Sequence, residues 1–238
     1  MADGTAMAQS LFAVPLGQHC LFSDFFSHAP NGFCCCRFQR HTSRHTRHMP
    51  SIQHPHKELI LGGQRSGKSA RAEQLAAQWL AQSPTHHALF LATAQAHDDE
   101  MRQRIIRHQQ DRALRLPGIQ TIEGADVAAQ LLAHSHADTA IVLDCLTLWL
   151  TQLHIPWQAP PATPQQAEAR TDALLHAIAS SQARLFIVSN EIGLGVIAPA
   201  PETRRFVDAL GRLNQRVAAV CSHVTFMAAG LPLPLKHS

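Results

Sequence analysis

A short apolar run, Leu59-Ile60-Leu61, delivers the chain into Gly62-Gly63-Gln64-Arg65-Ser66-Gly67-Lys68-Ser69, and an Ala-rich segment follows at once. Gly62, four free positions and then Gly67-Lys68-Ser69 have the Walker A spacing. In that geometry backbone N–H groups curl around phosphate oxygens, the Lys68 ammonium reaches the β- and γ-phosphates, and the Ser69 hydroxyl ligates Mg²⁺. The motif works only between a strand and a helix, and both are predicted here. Ala72, Leu75, Ala76, Trp79 and Leu80 make one apolar stripe, which predicts a helix over 70–82 whose N-terminus points at the bound anion. The loop specifies a nucleoside triphosphate and leaves the reaction open.

The rest of the chain supplies the sheet that such a loop requires. Residues 88–92, 121–122, 140–143, 185–188 and 224–227 read as strands, with 233–235 as a short further one. Helices are expected over 98–115, 127–133, 165–180 and 202–220. Continuous apolar strands alternating with helices predict an α/β fold of the P-loop NTPase type, a mostly parallel sheet covered on both faces. Ligands in such sheets bind at the carboxyl ends of the strands, which gathers the loop, Thr93, Asp144 and Asn190 at one rim. Asp144 closes the apolar run 140–143 and is the natural Walker B acid, sharing Mg²⁺ with Ser69; a helix-capping role is the other reading.

Charge and missing motifs narrow the partners. The formal +3 lies entirely in residues 1–57, which hold five Lys/Arg against two Asp/Glu, while the remainder carries fifteen of each. A balanced body with few aromatics and no Tyr argues against a nucleic-acid surface. No apolar run reaches the roughly 20 residues of a membrane span, and the N-terminus lacks a secretory pattern, so the expected location is cytoplasmic. There is neither Asn-Lys-x-Asp for a regulatory GTPase nor Asp-Phe-Gly or His-Arg-Asp for a protein kinase.

Residues 1–57 show no sustained period and are predicted to be an unstructured extension to a domain at 58–238. Met49 as the biological start is one explanation of the extension, and a basic targeting segment is another. Cys34-Cys35-Cys36 with His41, His45 and His48 lacks the paired spacing of a zinc site, and Cys145 and Cys221 are expected as buried free thiols.

The helix from Asp98 is polar on most faces, and Arg104, His108 and Arg112 recur every four residues along it. Spacing alone leaves His108 as either a surface histidine or a nucleophile. A neutral imidazole flanked by guanidinium groups is able to attack an α-phosphate whose charge they neutralise.

Several long motifs occur together and in order: 62–69, Ala92-Thr93-Ala94, Asp98-Asp99-Glu100-Met101 with Arg104-Ile105 and His108, 143–151, 189–195 and 211–218. Over about 58–236 they closely resemble the bifunctional adenosylcobinamide kinase/adenosylcobinamide-phosphate guanylyltransferase family of cobalamin biosynthesis. The resemblance implies phosphorylation of adenosylcobinamide from ATP or GTP. A second step then passes GMP from GTP through a guanylylated histidine to give adenosylcobinamide-GDP and pyrophosphate. By motif position that histidine is His108, and the guanine nucleotide is held by Ala92, Thr93, Ala94, Gln109, Gln110, Asp111, Arg112, Glu123 and Asp144 together with Gly62 to Ser69. The Glu123 carboxylate suits a guanine N1–H and 2-amino group, or ribose hydroxyls. The family implies a homotrimer, and Asn214, Gln215 and Arg216 fit packing, an interface or corrinoid contact equally. On the loop alone, a single-activity small-molecule kinase or a nucleotide-regulated binding protein fits as well.

Overall fold

The computed structural model describes residues 55–237 apart from 97, 125, 157–158 and 196. The expectations for the extension, including Met49 and the Cys/His cluster at 34–48, lie outside the described residues. The described chain runs β1 (Lys57–Gly62), α1 (Lys68–Leu80), β2 (His87–Ala92), α2 (Asp99–Arg115), β3 (Gln120–Glu123), α3 (Val127–Ala133), β4 (Thr139–Asp144) and α4 (Leu146–His154). It continues through α5 (Pro164–Ser180), β5 (Arg184–Val188), α6 (Pro201–Val220), β6 (His223–Ala228) and β7 (Leu231–Lys236). The first strand therefore begins one residue before the predicted domain boundary.

The strands form one sheet in the order β3-β2-β4-β5-β1-β6-β7, parallel throughout except for β7, which runs antiparallel to β6. Alternate residues of each central strand enter opposite cores. Leu59, Leu61, Ile141, Leu143, Leu185 and Ile187 face α3, α4, α5 and α6, while Ile60, Ala140, Val142, Phe186 and Val188 face α1. This is why the strands read as unbroken apolar runs: a period of two, apolar on both phases, leaves no polar face. Each fully buried Leu or Ile contributes about 1.5–3 kcal/mol. At the outer edge, Pro232 and Pro234 of β7 offer no N–H to a further strand.

Local sequence sets the helix ends. The Asp98 side chain accepts from Met101 N at 2.7 Å and opens α2. Thr163 and Gln166 form a reciprocal capping box at α5, with Pro164 in the first helical position. At the other ends Lys57 Nζ donates to Ala179 O, and Lys236 Nζ donates to Ala218 O and Cys221 O, cations placed on helix C-termini.

Sequence periodicity does not reveal α4. Its residues 146–150, Leu-Thr-Leu-Trp-Leu, alternate like a strand, and its cap residue Cys145 makes no side-chain capping bond. Burial of Leu146, Leu150 and Leu153 at helical spacing on the α5/α6 face decides the matter.

Candidate active site

The phosphate loop is shaped by two glycines. Gly62 has φ 150°, and a Cβ there would stand 2.4 Å from the Met227 carbonyl oxygen of the neighbouring strand; Gly67, capping α1, has φ 99°. The loop is braced from both sides of β1. Glu191 N donates to Gly62 O at 3.0 Å from the β5 side, and Gly230 N donates to Ser66 O at 3.0 Å from the β6–β7 turn. Lys68 is buried, and its Nζ donates to Gly63 O at 2.6 Å. Burial pushes its pKa down, against the opposing pull of Cys145 and Asp144.

The register of β2, β4 and β5 aligns Ala92 with Asp144 and Asp144 with Val188, so the predicted rim is assembled. Asp144 is half-buried. Desolvation pushes its carboxyl pKa up, while the neighbouring Ser69 side chain and the Lys68 and Arg112 cations favour its charged form. His108 lies on α2 next to Gln109, whose side chain reaches the end of β3. It is exposed, as are Gln110 and Asp111 beside it.

The remaining predicted residues divide by role. Gln109 Nε2 donates to Glu123 Oε1 at 3.0 Å, joining α2 to the end of β3. Arg112 is buried, unlike the other members of the ridge. Its guanidinium lies 3.8 Å from the Phe90 ring centroid, and its Nη2 donates to Thr121 Oγ1 at 3.2 Å. Thr93 is buried as well, with its hydroxyl accepting from Cys145 N at 2.7 Å and donating to Cys145 O at 2.8 Å. That hydroxyl is engaged in holding the Walker B turn, leaving Ala92 and Ala94 half-exposed on either side. Cys145 and Cys221 are buried free thiols, pushed up to about 11 and about 12 by desolvation.

One support on α1 escapes sequence reasoning, while two of the α6 residues whose role the sequence left open take packing roles here. Glu73, buried on α1, pairs with Arg115 of α2; an acid bordering an apolar stripe is the signal that could have found it. Asn214 is buried, accepting from Ser189 Oγ at 2.7 Å and donating to Asn190 O at 3.1 Å, so its role is to clamp the end of β5. Arg216 instead pairs with Glu168 and Asp172 of α5 on the surface. A hollow of about 520 Å³ between α4, α5 and α6, lined by Leu150, Glu168, Leu213 and Arg216 among others, contains none of the rim residues.

Comparison with known proteins gives the family. Residues 58–235 match the family described as cobinamide kinase / cobinamide phosphate guanyltransferase. The bifunctional adenosylcobalamin biosynthesis protein CobP of Pseudomonas aeruginosa is 44% identical over 182 residues, covering 76% of this chain and 97% of the relative. The corresponding CobU proteins of Salmonella typhimurium and Escherichia coli are 32% and 29% identical over 186 residues, each covering 75% of this chain and 98% of the relative. The match spans every described strand and helix and nearly the full length of these relatives, and on that basis the chain belongs to the cobinamide kinase / cobinamide phosphate guanyltransferase family.

Proposed function

We propose that this chain carries both activities of its family, phosphorylating adenosylcobinamide from ATP or GTP and then converting the phosphate to adenosylcobinamide-GDP with GTP. The observation that supports the reading is the strand-end rim: the Walker loop and Asp144 lie at the carboxyl ends of β1 and β4, and Gln109, next to His108 on α2, is bonded to Glu123 at the end of β3.

In the kinase step the loop N–H groups and Lys68 hold the triphosphate while the acceptor hydroxyl attacks the γ-phosphorus and gives up its proton to solvent; the bond from that phosphorus to the bridging oxygen breaks, and the nucleoside diphosphate leaves with its electrons. In the second step a neutral ring nitrogen of His108 attacks the α-phosphorus of GTP. The P–O bond to pyrophosphate breaks, its electrons leave with the pyrophosphate, and the ring proton is lost to solvent. An oxygen of the substrate phosphate then attacks the same phosphorus, the P–N bond breaks, and His108 regains a neutral imidazole after taking up a proton. Gln109 and Glu123 would hold the guanine or ribose, with Gln110, Asp111 and Arg112 beside them.

The Ser69 hydroxyl and the Asp144 carboxylate are adjacent hard oxygen donors, a set that fits Mg²⁺ better than a softer metal. Bound there, Mg²⁺ supplies charge neutralisation across the phosphate oxygens. Among the described residues no group of three or more His, Cys, Asp and Glu forms a metal cage, and a triphosphate-bound Mg²⁺ does not require one. The catalytic unit in this reading begins with β1 at Lys57, one residue before the expected boundary at 58, and the assembly is a cytoplasmic homotrimer. Among the described residues no helix is long and apolar enough to cross a membrane.

Incubation with α-³²P-GTP and Mg²⁺ tests the central claim. The expected result is an acid-labile, base-stable GMP adduct on the protein that disappears in His108→Ala. An adduct that persists in that variant overturns the assignment of the nucleophile.

A further inference from the structure

The connection from β5 to α6 leaves the sheet at a particular place. In the order β4-β5-β1, the end of β5 stands between Asp144 at the end of β4 and Gly62 at the end of β1. The connection therefore borders the phosphate loop on one side and Asp144 on the other. Its start is tied down on three sides: Asn214 holds Ser189 and Asn190, Asn190 N donates to Thr147 Oγ1 at 3.0 Å, and Glu191 N donates to Gly62 O at 3.0 Å. The Glu191 carboxylate accepts from Gly193 N at 2.9 Å, and Arg204 of α6 closes the far end by donating to Ala198 O and Pro199 O.

Between these fixed ends, among the described residues, the large side chains turned to water are apolar. Ile192, Leu194 and Ile197 are 40%, 76% and 81% exposed. A surface connection ordinarily carries polar side chains, so apolar ones on a tethered loop beside a phosphate site point to a ligand with an apolar face. Three side chains fall well short of the about 800 Å² per partner that a stable protein interface requires, which favours a small molecule over a second copy of the chain.

We propose that Ile192, Leu194 and Ile197 seat the corrinoid acceptor, lying against the methyl-bearing face of the macrocycle. The tether to Gly62 fixes the distance from that seat to the terminal phosphate. A corrinoid suits such a surface because its ring is broad and apolar while its amide arms remain in water. The inference rests on the kinase and guanylyltransferase reading given above.

The double variant Leu194→Ser/Ile197→Ser separates the two claims, because adduct formation from GTP needs no corrinoid. The expected outcome is a KM for adenosylcobinamide raised about tenfold to hundredfold in the kinase step, with GMP-adduct formation and oligomeric state unchanged. Both positions are exposed, so the fold should tolerate the change, and normal adduct formation verifies that it does. An unchanged KM overturns the proposal. A raised KM accompanied by loss of the wild-type oligomer, read by light scattering, also overturns it and assigns the loop to a subunit contact. Absence of the adduct in the unaltered protein is a separate result, and it removes the functional reading rather than the seat alone.

Discussion

Arg115, in the last turn of α2, donates from Nε to Oε2 of Glu73 on α1, joining the helix that carries His108 to the helix that carries the phosphate loop. The two partners are not equivalent: the side chain of Glu73 is 3% exposed and that of Arg115 is 40% exposed. Without Glu73, Arg115 can turn into solvent. Without Arg115, a buried carboxylate loses its closest cation. Arg115→Ala is therefore expected to cost about 3 kcal/mol and Glu73→Gln about 1 kcal/mol. Urea unfolding of the two variants checks the order, and a larger loss in Glu73→Gln contradicts it. Because the pair anchors one end of α2, Arg115→Ala should also slow adduct formation on His108 in protein that remains folded.

Lys68 donates to Gly63 O within its own loop, and a triphosphate would give its ammonium a stronger, charged acceptor. Both reactions need that ammonium on the phosphates. Lys68→Ala is expected to lower kinase kcat and the rate of adduct formation by about 10²- to 10³-fold each. Pre-steady-state measurements of the two steps would show it. Normal kinase turnover in the variant would mean that the nucleotide is held elsewhere.

Glu123 is exposed at the end of β3 and has one of its oxygens committed to Gln109 Nε2 at 3.0 Å. The other is available to accept from a guanine N1–H or 2-amino group. If it reads the base, Glu123→Gln should raise the KM for GTP in adduct formation by about tenfold or more and narrow the preference for GTP over ITP, which lacks the 2-amino group. Equal losses with the two nucleotides would exclude the 2-amino group as its partner and leave the N1–H, which ITP retains, or the ribose.

The order of the rim was legible because it depends on strand ends alone. Asp144 and Thr93 each follow an apolar run, and parallel strands bring such residues to the same edge. The start of α2 was legible for a similar reason, since Asp98 caps it through a bond three residues away. Contacts that cross between elements were not. Nothing local to Thr93 announces that its hydroxyl will be taken by Cys145, and i,i+4 spacing places Arg112 beside His108 without showing that it folds under the helix onto Phe90. In α4 the local pattern misleads, because alternating leucines imitate a strand until packing against α5 and α6 chooses the helix.

Glu58 offers a stability test remote from the chemistry, since it lies at the opposite end of β1 from the phosphate loop. Burial alone would push its carboxyl pKa up, but hydrogen bonds from His56 Nε2 at 3.0 Å and Thr225 Oγ1 at 2.7 Å outweigh it and leave the pKa below the ordinary 4.5. A depressed acid stabilises the fold above its unfolded pKa, and that contribution is lost as pH falls through the folded value. Glu73 and Asp144 are shifted upward and act with the opposite sign, so the pH profile of the unaltered protein mixes the two effects. Comparison with Thr225→Val isolates Glu58. The variant removes a hydrogen bond to a charged group and should lose about 1.5–3 kcal/mol at pH 7. Once Glu58 is protonated in both proteins, that charge-assisted share no longer separates them. Urea midpoints measured from pH 7 to well below pH 4 should therefore converge as pH falls through that depressed folded value, while kinase activity at pH 7 remains that of the unaltered protein. A gap that stays constant over this range would mean that Thr225 stabilises by packing and that Glu58 owes its charge to His56.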